Sequence, residues 1–534
     1  MKKITKTLFD KVKNIPFRFL CLVTFLGFIV AFFTRNYITA YLFSGKSFDG
    51  RNFLYRMIFL LFFTLIFALL LFVTGKLVLQ VRWVYQKAIK LDRIIMSQYE
   101  KKINNNQKRI WFFVVLVAFA TIFIFLCNNV LSSINTKEWS FSYTEDIPLY
   151  SPVGMDFRQG LYRPAEQIFL DKTFKEIWNN DINTNSYPPL ATSLGLFYLP
   201  FGEDTGYLIH VGLLVLANIV NVIIAFMICT KYVLSHIKMD KFSKDLIVAT
   251  ITLCVACLSF SNYPFRFSIE RGNIDAIAFC FSLLSIWVLL RNPEKKWAQI
   301  ILLSIATNLK IYPAILFLVL FKKHGWKMIF PTIVSNVILF FILGPNNAMA
   351  FVKTITNAFG AEKHPHAWIG NHSAFSFVSN LQQYIFHGSD EFYSVYVAIC
   401  LFIPLFFWFF STVNVFKKPC TPTSIIQYFV LSTPIMCILP TVSHDYKLVI
   451  LCTVFIILLA SIVDQFAQNP TKTDMIQLMG VLILMLFIGR SYVFNDGGAN
   501  YFIGNKYIWL VSLEILAFWR LLGTQENKQI LLNE

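Results

Sequence analysis

Six short motifs of charged and polar side chains interrupt an otherwise apolar sequence. They are Gly154-Met155-Asp156-Phe157-Arg158, Tyr187-Pro188-Pro189, Glu270-Arg271-Gly272-Asn273-Ile274-Asp275, Asn308-Leu309-Lys310-Ile311-Tyr312-Pro313, Gly370-Asn371-His372-Ser373 and Ser443-His444-Asp445-Tyr446-Lys447. Charged groups at or inside apolar segments are costly, so they are candidates for function. Carboxylates beside arginine, lysine and histidine suit an anionic substrate and proton transfer. The motifs therefore predict a polar site that could carry out such chemistry.

The composition places these motifs in a membrane protein. Hydrophobic residues make up 56% of the 534 residues and charged residues only 14%, against about a quarter in soluble proteins. A net charge of +18 would suggest a nucleic-acid partner for a soluble protein. Here the lysines and arginines cluster in short loops between apolar blocks, where they set orientation in the membrane. We therefore expect no nucleic-acid partner.

The apolar blocks predict an all-α polytopic membrane protein with about twelve full spans, each near the 20 or so residues that cross a bilayer. The predicted spans are 17–33, 54–74, 111–131, 207–229, 245–260, 273–290, 328–345, 393–412, 424–440, 447–463, 474–490 and 505–522. Two further stretches are irregular. Residues 190–200 are apolar but too short to span, and 297–321 is interrupted by Asn308, Lys310 and Pro313.

Loop charges predict the orientation, because cytoplasmic loops carry excess lysine and arginine. The basic N-terminus and the basic loop 75–110 should both be cytoplasmic, and that loop could hold an amphipathic helix on the inner membrane surface. The net acidic loop 132–186 then lies outside. With this topology both termini are cytoplasmic and all six motifs fall on the outer face.

The segment 297–321 decides whether this topology is consistent. A single span there would place the basic Lys322-Lys323-His324 loop outside and invert every later loop. A helical hairpin with its tip near Lys310 and Pro313 preserves the charge rule, and proline favours such a break. We therefore predict a broken helix pair with Lys310 in the outer half of the membrane.

Ordinary structural roles compete with functional ones in the first three motifs. Asp156 could be a catalytic base or a solvated loop carboxylate. Tyr187 could contact substrate, while the two prolines after it start the next short helix. Glu270 and Arg271 could form an internal ion pair or bind a substrate.

The later motifs leave similar alternatives. Asn273 could cap a helix and Asp275 interact with its dipole, whereas Lys310 is harder to explain structurally. His444 and Asp445 could form a salt bridge at a helix entry.

Four weaker signals concern metals and modification. His364, His366 and His372 lack a clear carboxylate partner, so a metal site is disfavoured, and His372 could instead donate to a phosphate. Asn371-His372-Ser373 matches the glycosylation sequon, which matters only in a eukaryotic secretory membrane. Cys254 and Cys257 form a CxxC inside an apolar block, without a second pair, and favour packing over metal or redox chemistry.

Two long runs carry a family resemblance. ERGNIDAIAFCFSLLSIWVLL followed by SIATNLKIYPAILFLVL resembles the central signature of the GT87 glycosyltransferases. MDFRQGLYRPA, YPPL, NHS and SHDYKL occur in the same order as in that family, so the resemblance covers roughly 150–450. It implies a GT-C-like helical bundle. We expect a two-helix N-terminal addition at 1–110, a catalytic membrane core at 111–465 and C-terminal helices at 466–534.

The resemblance also implies a reaction. A polyprenyl-phosphate sugar would donate a hexose, such as mannose, to a glycan or glycolipid acceptor outside the cell membrane, taken as a bacterial cytoplasmic membrane. Asp156 matches the base, and no metal or other cofactor is expected. The expected donor-phosphate ligands are Arg271, Lys310, Arg158, His372, His444 and Lys447. The expected substrate contacts are Tyr187, Glu270, Asn273, Asp275, Asn371 and Asp445.

Two other functions were weighed against the transferase. A transporter or flippase for lipid-linked sugars would favour internal repeats and mid-membrane sites made of broken helices. The motifs cluster on one face and no repeat is evident, which disfavours transport. A membrane scaffold without catalysis would not explain six polar motifs on one face.

Overall fold

A computed structural model describes the larger, C-terminal part of the chain. The described residues are 110–111, 114–125, 153–169, 187–234, 241–361, 370–382, 393–417, 419–468, 471–490 and 505–533. Within these ranges the chain is helical and contains no β-strand, in agreement with the predicted fold class. The predicted spans 17–33 and 54–74, the loop 75–110 and most of the loop 132–186 lie outside the described residues.

The helices follow one another with short connections. The α-helices are α1 Val114–Phe125, α2 Met155–Phe157, α3 Arg163–Phe169, α4 Pro189–Tyr198, α5 Glu203–Ile228, α6 Lys241–Ser261, α7 Tyr263–Arg271, α8 Asp275–Arg291, α9 Lys296–Leu309, α10 Phe317–His324, α11 Ile329–Phe340, α12 Pro345–Ala361, α13 Ala374–Leu381, α14 Tyr393–Lys417, α15 Pro422–Ile438, α16 Leu451–Gln468, α17 Lys472–Gly489 and α18 Tyr507–Asn533. Tighter or wider helical turns cover Arg158–Tyr162, Leu199–Phe201, Cys229–Val233, Tyr312–Leu316, Trp326–Met328 and Asp445–Ile450.

Each predicted span from residue 207 onward overlaps a helix, although two of them do not match a single helix in full. In the described part of the chain, four helices are long and apolar enough to cross a membrane, or up to six if each bent pair is one span. The four cover Glu203–Val233, Lys241–Ser261, Tyr393–Lys417 and Asp445–Gln468. The total of about twelve spans and the cytoplasmic termini stay predictions.

Two predicted spans need correction because sharp bends shape them. The predicted span 273–290 begins as α8 at Asp275, and the separate short helix α7 precedes it at an angle of 111°. The predicted span 328–345 ends earlier, since α11 stops at Phe340 and the chain then turns by 94° into α12. Each bend contains a glycine with positive φ, Gly272 in the first and Gly344 in the second. This backbone conformation is unfavourable for residues that carry a side chain.

The predicted break in 297–321 is confirmed. Helix α9 ends at Leu309, and Lys310 is extended with φ −148° and ψ 132°. The chain then reverses, because His324 Nε2 at the end of α10 lies 2.6 Å from Gln299 Oε1 near the start of α9. The two helices therefore form a hairpin with Lys310 at its tip.

A topology map would test the orientation of this hairpin. A reporter fused after residue 325 should be cytoplasmic, because the basic Lys322 and Lys323 end α10. Paired fusions of green fluorescent protein and alkaline phosphatase give opposite signals on the two sides, and a fusion in the loop 132–186 supplies the opposite control. Phosphatase activity at 325 would contradict the predicted topology.

A small core lies beneath the first polar motif. Phe157 and Leu161 are fully buried, and the Phe157 ring packs edge-on against Tyr198 with centroids 5.0 Å apart. The same core includes Tyr187 and Leu190 around α4 and Ile274 at the start of α8. Burial of large aromatic side chains is strongly stabilising. It therefore fixes the backbone on either side of Asp156.

Candidate active site

Asp156 is held at the start of a helical turn by its neighbours. Gly154 has φ +83° and donates its N–H to the Glu270 carbonyl at 2.7 Å. A side chain at Gly154 would collide with Tyr207, since an added Cβ would lie 2.7 Å from that ring. The hydrogen bond from Gly154 to Glu270 connects the turn that carries Asp156 to the end of α7.

The carboxylate of Asp156 has partners on the turn between α7 and α8. Arg271 Nη2 forms an ion pair with Asp156 Oδ1, and both side chains are largely buried. Asn273 Nδ2 donates to Asp156 Oδ2 at 2.7 Å. The other guanidinium nitrogen, Nη1, faces the Met155 thioether sulfur at 3.3 Å, which is a weak acceptor. Arg271 therefore orients one carboxylate oxygen of Asp156, and Asn273 orients the other.

The α7–α8 turn is itself supported from α5. His210 Nε2 lies 3.0 Å from the Gly272 carbonyl, and Tyr207 donates its hydroxyl to the Ile269 carbonyl at 2.7 Å. Asn273 Oδ1 accepts the N–H of Asp275 at 3.1 Å, so it also satisfies a first-turn donor as a cap would. His210 and Tyr207 were not among the predicted site residues, because single polar residues in an apolar helix form no motif.

A second group of polar residues gathers around Asp275, which is fully buried. Lys310 Nζ lies 3.5 Å from Asp275 Oδ2 and 4.2 Å from the centroid of the Tyr187 ring. Tyr312 donates its hydroxyl to the Asp275 carbonyl at 3.4 Å, and Lys447 Nζ lies 5.0 Å from the Tyr312 ring. Two ammonium groups thus lie on aromatic faces, and one of them pairs with the Asp275 carboxylate.

Tyr187 connects the two groups. Its ring faces Lys310, and burial raises the pKa of its phenol well above the usual value, with further contributions from the nearby Asp156 and Asp275 carboxylates. The phenol therefore stays protonated and can act as a hydrogen-bond donor. Asn273 bonds both the Asp156 carboxylate and the Asp275 N–H, so Asp156, Arg271, Asp275 and Lys310 belong to one polar region.

The remaining predicted residues form a separate, fully buried network. Asp445 Oδ1 accepts from Lys506 Nζ and lies 3.1 Å from His372 Nε2, and all three side chains have no exposed surface. The backbone N–H of Lys506 donates to His372 Nδ1 at 3.0 Å, so the imidazole proton is on Nε2, facing Asp445. Burial lowers the pKa of His372, which favours this neutral form.

The side-chain amides of Asn371 and Asn505 join three segments around this network by hydrogen bonds to their backbone. Asn371 Nδ2 donates to the Thr441 carbonyl at 3.0 Å, and Asn371 Oδ1 accepts from the Ser443 N–H at 2.8 Å. Asn505 Nδ2 donates to the Asn371 carbonyl at 2.8 Å. Because the Asn371 amide is buried and engaged, a glycan could not be attached there in this fold.

Three further predicted residues lie at the edges. Arg158 is held by the carboxylates of α5, at 3.3 Å from Glu203 and 2.5 Å from Asp204. His444 is half-buried and packs edge-on against Tyr446. Glu270 is buried, and its carbonyl is the acceptor for Gly154.

The structure therefore divides the predicted site residues into three sets, of which Arg158, Glu270 and His444 form the one at the edges. Those brought together are Asp156, Tyr187, Arg271, Asn273, Asp275, Lys310 and Lys447. Asn371, His372 and Asp445 are instead closed off with Lys506. Lys506 was missed because a lysine at the border of a predicted span resembles an ordinary charged flank. Whether each residue binds a substrate stays a prediction.

The chemistry of the combined set is that of a carboxylate beside several cations. Asp156 could accept a proton, and Lys310 and Lys447 could neutralise an anion. Among the described residues, no three histidine, cysteine or acidic side chains are grouped so that they could hold a metal ion. His364 and His366 lie outside the described residues, and Cys254 and Cys257 are free thiols.

Comparison with known proteins bears on this geometry. Residues 185–441 match the model of glycosyltransferase family 87, just under half of the chain. That range contains Tyr187, Arg271, Asp275 and Lys310, whereas Asp156 precedes it and Lys447 follows it. No curated protein and no solved structure matches the chain. The match contains four residues of the polar site and supports a GT87-like glycosyltransferase.

Proposed function

We propose that the chain transfers a hexose from a polyprenyl-phosphate sugar to a glycan or glycolipid, on the extracytoplasmic face of the cell membrane. The observation that carries the proposal is the turn around Gly272, where Arg271 and Asn273 hold the Asp156 carboxylate and the neighbouring Asp275 pairs with Lys310. Transfer of a sugar from a phosphate needs a base on one side and cations on the other.

The lysine side of the site suits the donor phosphate. Lys310 and Lys447 lie on the rings of Tyr187 and Tyr312, and Lys310 also pairs with the buried carboxylate of Asp275. Asp275 lowers the cost of burying the two cations, but it offsets only one of the two positive charges. The excess charge favours an anion, and Tyr187 supplies a neutral donor beside it.

The Asp156 side suits the acceptor. In the proposed step, Asp156 takes the proton of an acceptor hydroxyl, and that oxygen forms a bond to the anomeric carbon. The bond from the anomeric carbon to the phosphate oxygen breaks, and its electron pair leaves with the phosphate. The monoanionic phosphodiester becomes a dianionic polyprenyl phosphate, whose added charge Lys310 and Lys447 stabilise. Arg271 and Asn273 keep the carboxylate in place.

The activity itself can be measured directly. Purified protein in lipid, given a polyprenyl-phosphate hexose and membrane glycolipid acceptors, should release polyprenyl phosphate and extend the acceptor by one hexose. Chelators should leave the rate unchanged, since no metal is expected. Movement of the intact donor across vesicles without release of polyprenyl phosphate would instead indicate a transporter.

Lys310→Met tests the donor side. Loss of the ammonium group should raise the KM for the donor roughly 10- to 100-fold, as expected for a charged hydrogen-bond partner of a phosphate. The KM for the acceptor should change little. Steady-state kinetics with each substrate varied in turn measure both values.

A matched control lies in the same hairpin. Lys322 donates to the Val415 carbonyl at 3.0 Å, at the opposite end of the hairpin from Lys310. Lys322→Met should therefore leave the donor KM unchanged. An equal effect of the two substitutions would show that Lys310 acts through hairpin stability and would contradict its assignment to the donor.

A further inference from the structure

We propose that Lys506 is a positioning residue of the transferase: through Asp445 it fixes the short helical turn that presents Lys447 to the donor phosphate. The inference rests on the proposed function, because Lys447 is assigned there to the donor. Lys506 does not reach the donor site itself, since its ammonium group is fully buried against Asp445 and above the Tyr263 ring.

The turn Asp445–Ile450 has different partners on its successive side chains. Asp445 faces the buried network with Lys506 and His372. Tyr446 stacks on Phe267 in α7, with centroids 5.8 Å apart. Lys447 faces the Tyr312 ring and donates to the Val442 carbonyl at 3.2 Å. Anchoring Asp445 therefore sets the direction in which Lys447 projects.

The anchor is strong because it is buried on every side. Asp445, His372 and Lys506 have no exposed surface, and Asn505 next to Lys506 is 1% exposed. Asn505 also holds the segment that pairs with this turn, through its bond to the Asn371 carbonyl. A buried charge that loses its partner is strongly destabilised and moves toward water. Removing Lys506 would thus release the Asp445 turn.

Lys506 lies outside the residues that match the family model, directly before the helix α18. The family match ends at residue 441, so Asp445, Lys447 and Lys506 all follow it. Lys506 directly precedes α18, which starts at Tyr507. The entry of the last helix therefore takes part in completing the donor site.

A double-mutant cycle tests this assignment. Lys447→Met and Lys506→Met should each raise the donor KM, roughly 10- to 100-fold for the first, and the double variant should be no worse than Lys447→Met alone. Such non-additivity arises when two residues act through one contact. Effects that multiply in the double variant would overturn the inference. The acceptor KM should stay constant throughout.

Because Lys506→Met leaves Asp445 unpaired and could prevent folding, a neutral pair is also needed. Asp445→Asn combined with Lys506→Met removes both charges, which is far less costly than removing one, and should fold with a raised donor KM. A normal donor KM in this folded variant would overturn the inference.

Arg520 and Asp474 supply the matched control. They form another buried ion pair of α18 at 3.0 Å, and Arg520 lies 14 residues along the chain from Lys506, about 20 Å in a helix. The neutral pair Arg520→Met with Asp474→Asn should lower stability but leave the donor KM unchanged.

Wild-type protein that neither binds polyprenyl phosphate nor transfers sugar would overturn the proposed function, and this inference with it. Normal wild-type kinetics with multiplying effects would overturn the inference alone.

Discussion

Replacement of Asp156 by asparagine is expected to lower the transfer rate about 10²- to 10⁴-fold, the usual contribution of a general base. Asparagine has the same shape, and its carbonyl oxygen can still accept a hydrogen bond, but it cannot take the proton of the acceptor hydroxyl. Donor binding should survive, because Lys310 and Lys447 are unchanged. Release of polyprenyl phosphate measures transfer, and a binding titration with polyprenyl phosphate measures the donor side.

Asp204 offers the matched control for this substitution. Its side chain is 88% exposed and pairs with Arg158, which lies two residues after Asp156. Asp204→Asn should leave transfer within about twofold of wild type, since exposed ion pairs contribute little. Full activity of Asp156→Asn would remove Asp156 as the base, while a loss accompanied by unfolding would assign it a structural role.

Substitution of Gly272 by alanine is expected to lower both the stability of the protein and the rate of transfer. Gly272 has φ +65°, and an added Cβ would lie 2.8 Å from the Cβ of Phe157. The left-handed backbone costs about 1–2 kcal/mol for alanine, and overpacking a core adds about 1–3 kcal/mol. The turn that carries Arg271 and Asn273 would shift, and misplacement by about 1 Å costs roughly 100-fold in rate.

A substitution at Gly325 separates the backbone cost from the cost of the collision with Phe157. This glycine also has positive φ, +84°, but an added Cβ there meets no atom within 4 Å. Gly325 has ψ 165°, a backbone conformation that is nearly restricted to glycine. Gly325→Ala should therefore show a backbone cost without a collision, about 1–3 kcal/mol, with transfer unaffected. Unfolding in detergent measures stability and the transfer assay measures the site. Equal losses at the two glycines would contradict the predicted collision with Phe157.

The sequence was sufficient to predict the helices and the break at Lys310, because both depend on local properties. An apolar run long enough to cross a bilayer predicts a helix wherever it falls. Pro313 and the lysine next to the break could not lie inside a regular apolar helix. The start of α4 at Pro189 follows from the same local preference of proline for the first turn.

The pairing of side chains across the site could not be predicted in the same way. Asp156 and Arg271 are 115 residues apart, and their contact depends on how α5 and α8 pack. The sequence suggested Glu270 as one partner for Arg271, since neighbours in sequence are easily compared. The structure turns Arg271 toward Asp156 through the bend at Gly272, which the sequence did not predict.

The division of the last motif had a similar cause. Asp445 and Lys447 are two residues apart and were assigned to one site. In the turn Asp445–Ile450 they face different partners, Asp445 toward Lys506 and Lys447 toward Tyr312. A short turn with this geometry leaves no periodic signal in six residues.

The contact between Asp445 and Lys506 also imposes an order on biosynthesis. The two residues are 61 positions apart, and the helices α16 and α17 lie between them. The carboxylate therefore leaves the ribosome well before its lysine does. Until Lys506 is made, Asp445 lacks the ammonium partner that it has in the folded structure and can pair only with residues made earlier, such as His372. With the roles proposed for Lys447 and Lys506, we expect a chain that stops before α18 to be inactive in sugar transfer.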